Sequence, residues 1–295
     1  MSERFVREAD PEAAFSALAD ETRLEIVRAL RRTDGGSATF SELRDAVGMR
    51  DSGRFNYHLD KLADRFVAKT DGEYQLTQAG KQVHGAVTSG VYTSRGTIEP
   101  IELDGPCRVC GGDQTLQYDG EVARVECEAC SAGWAASVPP VVLAGCDRDE
   151  VAGVVDRYFR TRFRQVVDGF CTYCSGRMAA NVGPVGAMDV GQSSAEETDR
   201  LTDRPVVQFD CPHCGATAGM DLSNALFFAH PAVVHFYYEH GVEVRDHALW
   251  DGDLDAGDGA IENRDPFRAS VTFRAGDAEL AVAVDGTFDV VNVDR

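Results

Sequence analysis

The chain is 295 residues long and has only three lysines, Lys61, Lys69 and Lys81, all in its first third. So few lysines, with a formal net charge of −20, exclude a protein that coats nucleic acid or an anionic membrane over its whole surface. No apolar run is long enough to cross a membrane, and the opening MSERFVREADPEAAF lacks the apolar stretch of a signal peptide, so a cytoplasmic protein with no membrane partner is expected. There is no GxxxxGK to cradle phosphate, no GxSxG nucleophile elbow and no HExxH. His230, His235 and His240 recur every five residues, which does not place them on one helical face. No catalytic residue is expected, and nothing argues for an enzyme.

With 43% hydrophobic residues there is ample material for packed cores, and the length exceeds what one core normally organises, so two or three domains are expected. The charge is unevenly spread. Residues 1–95 hold 14 Lys and Arg against 15 Asp and Glu, whereas the remainder holds 15 against 34. Such an acid-rich, lysine-poor composition resembles proteins of halophilic archaea, with an acidic mesophilic protein as the alternative. At ionic strengths near 1 M the Debye length is about 3 Å, so remote acidity would not repel DNA from a nearly neutral N-terminal segment.

That first segment, 1–92, reads as helical. Asp10 and Pro11 are suited to cap and open a first helix, Asp20 to cap a second carrying Leu24, Val27 and Leu30, and Gly48 to close a third carrying Phe40, Leu43 and Val47. Phe55, Leu59, Leu62 and Phe66 form one apolar stripe over residues 52–65, with Arg54, Asn56, Tyr57, Lys61 and Arg65 off it. VAKTDGEYQL then alternates around Asp71-Gly72, a two-residue hairpin signal, and Thr77 caps a helix through Val83, Val87 and Val91. This order is that of a winged helix-turn-helix, which places its second helix in the major groove. Ser52, Arg54, Asn56, Tyr57, Lys61 and Arg65 are the candidate base and phosphate contacts, with Lys69 at the wing; Arg suits guanine and Asn suits adenine.

FSALADETRLEIVRALRR, FSELRDAVG, SGRFNYHLDKL, the VAKTDGEYQL wing and TQAG together resemble the winged-helix transcriptional regulators of the ArsR-like group in their haloarchaeal form, over roughly residues 10–92. The resemblance implies a homodimer reading a palindromic operator in double-stranded DNA. The cysteine pair that metal-sensing members keep in the first helix of the helix-turn-helix has no counterpart in FSELRDAV.

Eight of the nine cysteines form four CxxC pairs: Cys107/Cys110, Cys127/Cys130, Cys171/Cys174 and Cys211/Cys214; only Cys146 stands alone. Small residues follow each pair, as tight knuckles require. Sixteen residues separate the first two knuckles and hold an Asp-Gly turn between alternating strands, which predicts a zinc ribbon with four thiolate ligands. The other two knuckles are 36 residues apart, with RMAANV and PVVQFD as strands and GQSSAEETDRLTD as an exposed insertion. Lone CxxC pairs can be redox dithiols, but four of them with hairpin material between favour two structural Zn2+ sites.

Residues 146–170 predict a long helix in which Val151, Val154, Val155, Tyr158 and Phe159 face a core, while Arg157, Arg160, Arg162 and Arg164 pair with neighbouring carboxylates. HPAVVHFYYEHGVEV predicts an aromatic helix, and the tail predicts a three-stranded meander. The expectation is an α+β chain: a winged helix-turn-helix (1–92), a linker (93–105), a first zinc ribbon (106–135), and an effector or dimerisation module (136–295) with the second ribbon. This last module would either sense a small-molecule effector or fix the dimer, and the sequence leaves the two open. The alternative function is a protein-interaction module of a transcription complex; the nearly neutral, lysine-bearing first segment favours DNA.

Overall fold

A computed structural model describes residues 10–130, 132–185, 203–252, 257 and 259–295, and the chain divides into two compact units, Met1–Ser94 and Arg95–Arg295. The fold is mixed α and β, with every paired strand antiparallel.

In the first unit, each described α-helix start is fixed by a side-chain cap. Asp10 accepts from the Glu12 amide ahead of α1 (Pro11–Leu18), and Asp20 from the Arg23 amide ahead of α2 (Glu21–Arg32). Thr39 and Glu42 form a reciprocal capping box on α3 (Phe40–Ala46). Asp51 accepts from the amides of Gly53 and Arg54 to start α4 (Ser52–Leu62), and Thr77 caps α5 (Gln78–Thr88). A three-stranded sheet in the order β1 (Ser37–Thr39), β3 (Glu73–Leu76), β2 (Val67–Thr70) completes the unit. Asp71 and Gly72, with φ of 53° and 89°, make the tight turn expected between β2 and β3. Ile26, Leu30, Leu43, Phe55 and Leu62 are fully buried at the centre.

Three expectations shift here. The helix expected over 52–65 stops at Leu62, because Ala63 turns to ψ 149° and Asp64 to φ 64°, and the Asp64 amide bonds the Val67 carbonyl to turn the chain into β2. Arg65 therefore stands in that turn and not on the helix. α5 ends at Thr88, with Gly90 at φ 73°, leaving Val91 outside it. β1 was not expected, since three residues are too few to show an alternation.

In the second unit, β4 (Gly96–Glu102), β5 (Gln114–Gly120), β6 (Val122–Cys127) and β7 (Gly133–Ser137) form a meander in sequence order. The expected linker 93–105 is thus mostly a strand. Ile98 and Ile101 pack on the sheet's core, and the register shift between them carries Pro100 without a ladder bond. A single turn, α6 (Pro140–Leu143), precedes α7 (Val151–Val167). That helix is shorter than the 146–170 expected, bounded by the turn at Asp147–Glu150 and by Gly169 at φ 84°. A second sheet, in the order β10 (Thr217–Asp221), β9 (Pro205–Asp210), β8 (Ala179–Pro184), leads into α8 (Leu222–Ala229) and α9 (Pro231–Glu239). The tail is a sheet of four strands, not three: β11 (Gly259–Arg264), β12 (Phe267–Ala275), β13 (Ala278–Asp285) and β14 (Val290–Asp294). The insertion expected over GQSSAEETDRLTD lies, up to residue 202, outside the described residues.

Two cores share α7. Val151, Val155 and Phe159 pack with Leu116, Tyr118, Val125 and Trp250, while Val166 packs with Val182, Phe209, Leu226, Tyr237 and Phe273. Among the described residues no helix is long and apolar enough to cross a membrane.

Candidate functional site

The four knuckles are built alike. In each of the first, third and fourth, the amide of the residue directly after the second cysteine closes back on the first cysteine's carbonyl: Gly111 to Cys107 at 2.8 Å, Ser175 to Cys171 at 3.0 Å, Gly215 to Cys211 at 2.9 Å. These three residues take φ of 74°, 58° and 75°. The first cysteine's own amide bonds the carbonyl of the next small residue, Gly112, Ala132, Gly176 or Ala216, at 2.8–2.9 Å in all four. Amides also point at sulfur: Val109 at Cys107 Sγ, Ala129 at Cys127 Sγ and Tyr173 at Cys171 Sγ, each 3.4 Å, and Gly176 at Cys174 Sγ, 3.3 Å. Such donors stabilise thiolate.

The hairpins bring the knuckles together in pairs. Gln114, opening β5, stands opposite Cys127, closing β6, so both knuckles of the first set sit at one end of that hairpin. Likewise Ala179, opening β8, pairs with Asp210, which precedes Cys211. The four sulfurs of each set lie within 4.8 Å of one another. Cys107–Cys130 and Cys110–Cys127 are 3.8 and 3.5 Å apart; Cys171–Cys214 and Cys174–Cys211 are 3.7 and 3.5 Å apart. A disulfide needs ~2.05 Å, whereas four sulfurs at ~2.3 Å from one ion form a tetrahedron with edges of about 3.8 Å. The sets therefore fit a metal ion.

Two further observations support the fit. A Cβ on Gly112 would stand 3.3 Å from Cys110 Sγ and 2.7 Å from the Ala129 Cβ, and one on Gly176 3.1 Å from Cys174 Sγ, so these glycines keep the sulfur cradles open. The thiols also resist ionising together. Burial opposes ionisation of Cys127 and of Cys171, yet neighbouring amides and thiols bring each down to about 7. Despite amides from Ala132 and Gly176 that favour thiolate, burial and the neighbouring sulfurs push Cys130 and Cys174 up to about 12. Only a cation lets four thiolates coexist so closely. Cys146 stands apart, its thiol directed at the Val142 carbonyl at 3.7 Å, and His213 is not among the sulfur ligands.

The exposed face of α4 gathers most of the other expected residues. Phe55, His58, Leu59 and Leu62 are buried, while Ser52, Arg54, Asn56, Tyr57 and Lys61 face outward. Asn56 Nδ2 donates to Asp60 Oδ2 at 2.8 Å, and Lys61 Nζ lies 5.5 Å from the centre of the Tyr57 ring. Arg54 makes no side-chain hydrogen bond or ion pair among the described residues. Lys69, exposed on β2, sits 5.1 Å from the Tyr74 ring centre, and Arg65 is half-buried in the turn. Sequence reasoning missed His58, whose Nδ1 lies 3.4 Å from Asp20 Oδ1 and keys α4 to the start of α2. Burial raises the Asp20 pKa, but the Arg23 amide and the charges of His58 and Arg23 outweigh it and hold the carboxyl below its ordinary value.

Of the four arginines of α7 expected to pair with carboxylates, Arg160 and Arg164 do so, whereas Arg162 reaches a carbonyl and Arg157 has no ion pair among the described residues. Arg160 binds Asp156 at 2.7 Å and also donates to the carbonyls of Val244 and His247; Asp156 in turn accepts from the Leu249 amide at 2.8 Å. Arg162 donates to the Thr172 carbonyl at 2.7 Å, and Arg164 pairs with Asp168. Arg108, in the first knuckle, donates to Asn224 Oδ1 on α8 at 2.7 Å, a tie across 116 residues that no local pattern signals.

Comparison with known proteins returns two family models. One, described as Domain of unknown function (DUF7351), matches residues 104–290 and so takes in both cysteine sets. The other, described as Domain of unknown function (DUF7347), matches residues 11–87. No curated protein and no solved structure matches the chain. The chain belongs to the DUF7351 family.

Proposed function

We propose that the chain is a sequence-specific DNA-binding transcriptional regulator, in which the first unit is a winged helix-turn-helix and the second is held together by two structural zinc ions. One observation carries the DNA reading: α4 buries one face against α2 and α3 and turns Ser52, Arg54, Asn56, Tyr57 and Lys61 outward, with a tight β2–β3 hairpin bearing Lys69 directly after it. Arg and Asn at exposed helix positions match the donor and acceptor edges of guanine and adenine, and a hairpin so placed can lie along the flanking backbone. Arg65, in the turn between helix and hairpin, is suited to phosphate. The first unit is nearly neutral, so its contacts need not overcome the acidity of the rest.

Cys107, Cys110, Cys127 and Cys130 would hold one zinc ion, and Cys171, Cys174, Cys211 and Cys214 the other. Four thiolates leave no open position, so the ion supplies cross-linking and not catalysis. The chain's own part is to align the sulfurs through knuckle amides and to leave room for them at Gly112 and Gly176. As a homodimer the protein would read two half-sites.

The test is binding of the zinc-loaded protein to its own upstream DNA from moderate to molar salt, beside Arg54→Ala and Asn56→Ala. Wild-type binding with a sequence preference, relaxed in each variant by about 1–3 kcal/mol at the contacted base, supports the assignment. Absence of sequence-specific binding at every salt overturns it in favour of a protein-binding role.

A further inference from the structure

Residues 157–177 hold five arginines against one aspartate, in the part of the chain where acidity is otherwise the rule. Arg160 and Arg164 are taken up by Asp156 and Asp168. Arg157 and Arg177 are exposed and have no ion pair among the described residues, and Arg162 gives one end to the Thr172 carbonyl. Three guanidiniums therefore stand here without a carboxylate partner among the described residues.

They converge on one surface. At 3.6 residues per turn, Arg157, Thr161, Gln165, Tyr158 and Arg162 lie within one arc of α7 about 140° wide. Gln165 and Arg162 reach the carbonyls of Cys171 and Thr172, at 3.0 and 2.7 Å, so this arc faces the third knuckle. The knuckle and the residue before it carry two aromatic rings in the open, Tyr173 at 73% exposure and Phe170 at 49%. Arg177 opposes Phe170 in an antiparallel bridge, which sets both side chains on one side. The Arg162 guanidinium stands 6.0 Å from the centre of the Tyr158 ring. Burial raises the Tyr158 pKa, Arg162 lowers it and Tyr173 raises it again, so these three side chains lie within electrostatic reach of one another.

A single exposed aromatic is ordinary on a protein surface. Two on one arm beside a third, edged by guanidiniums without carboxylates, ask for a ligand that uses both kinds of group. An acidic peptide would engage the arginines and leave the rings idle, whereas an apolar helix would cover the rings and desolvate the charges. A nucleic acid strand offers phosphate to guanidinium and a flat face to each ring, and its faces are free only where its bases are unpaired. Four thiolates around one zinc ion leave a net negative charge at the knuckle. Phosphates are accordingly expected on the α7 side, at Arg157 and Arg162, with bases over Tyr173 and Phe170.

We infer that the third knuckle and the side of α7 facing it form a binding surface for single-stranded nucleic acid, in which Tyr173 and Phe170 stack on bases and Arg157, Arg162 and Arg177 hold phosphates. The surface lies within the second unit and does not rest on the duplex-reading role proposed for the first; failure of one leaves the other standing.

The test titrates the full-length, zinc-loaded protein by fluorescence anisotropy with oligothymidylate and oligouridylate of about ten nucleotides. An abasic strand of the same length and charge is run beside them, at the lowest salt that keeps the circular dichroism native. Wild type should bind at least one base-bearing strand saturably and about tenfold more tightly than the abasic strand, the tighter of the two identifying DNA or RNA as the source. Tyr173→Ala should lose about tenfold, while Tyr173→Phe, which keeps the ring, holds wild-type affinity. Arg157→Ala should make the fall of log affinity with log salt shallower by about 0.7. Should Tyr173→Ala lose zinc, Phe170→Ala, with the same expected loss, decides. No saturable binding, equal affinity for the abasic strand, full affinity in both zinc-loaded alanine variants, or a salt dependence unchanged in Arg157→Ala would each overturn the inference.

Discussion

The two units solve the same problem by different means. The first closes around aliphatic and aromatic side chains, Ile26, Leu30, Leu43, Phe55, Leu59 and Leu62, with a carboxylate or hydroxyl at the start of every helix. The second has two cores as well, yet the tips of its β5–β6 and β8–β9 hairpins lie beyond them, and there eight cysteines stand where apolar residues would otherwise be needed. A hairpin end with little to bury can be ordered by cross-linking, which fixes geometry without needing volume. The difference teaches that the hairpin tips of the second unit gather cysteine sets that fit a metal ion, where the first unit relies on apolar packing and helix caps.

Removing metal is the hardest blow to this contrast. Structural zinc sites of this kind are worth on the order of 10 kcal/mol, so chelation should abolish the native circular dichroism of the second unit while the first stays folded. Loss of both units together would show that they do not stand apart. Elemental analysis should give two zinc ions per chain, and Cys127→Ser or Cys211→Ser should each lower that by one.

Next in size is Arg160→Ala. It leaves the Asp156 carboxylate buried without its partner, and breaking such a pair costs about 3–5 kcal/mol. Denaturant unfolding should show this as a loss confined to the second unit, with metal content intact. In the first unit, Asp51→Ala removes the acceptor for two amides of α4 and should cost about 1 kcal/mol. If α4 reads DNA as proposed, affinity should fall with it, because the same cap sets where α4 begins.

The smallest effect is a pH dependence. The Asp20 carboxyl is held below its ordinary value of 3.8 in the folded unit. Its contribution is therefore present in full above that value and is lost as pH falls through the lower, folded-state value. Acid titration of the first unit's stability should be steeper for wild type than for Asp20→Asn; identical curves would remove Asp20 from the account.

Local chemistry was legible from the chain. The four knuckles, the Asp71-Gly72 turn and the caps at Asp10, Asp20 and Thr77 each depend on residues a few positions apart, and each lies where the spacing puts it. What escaped depends on distant partners. Residues 96–102 are polar enough to read as linker until β5 pairs with them, α8 follows β10 without a break in composition, and Arg108 finds Asn224 far along the chain. His58 read as one more polar residue on α4, because its partner Asp20 belongs to another helix. The end of α4 was placed three residues late, since Phe66 continues the apolar stripe after the backbone has left the helix.

A helix of 17 residues is about 25 Å long. α7 spends its first half in one core and its last in the other, and Arg162 and Gln165 reach from it to the carbonyls of Thr172 and Cys171. Neither core can keep its packing once this shared strut frays. A calorimetric scan of the metal-loaded second unit should accordingly show one endotherm rather than two, with the van't Hoff and calorimetric enthalpies equal.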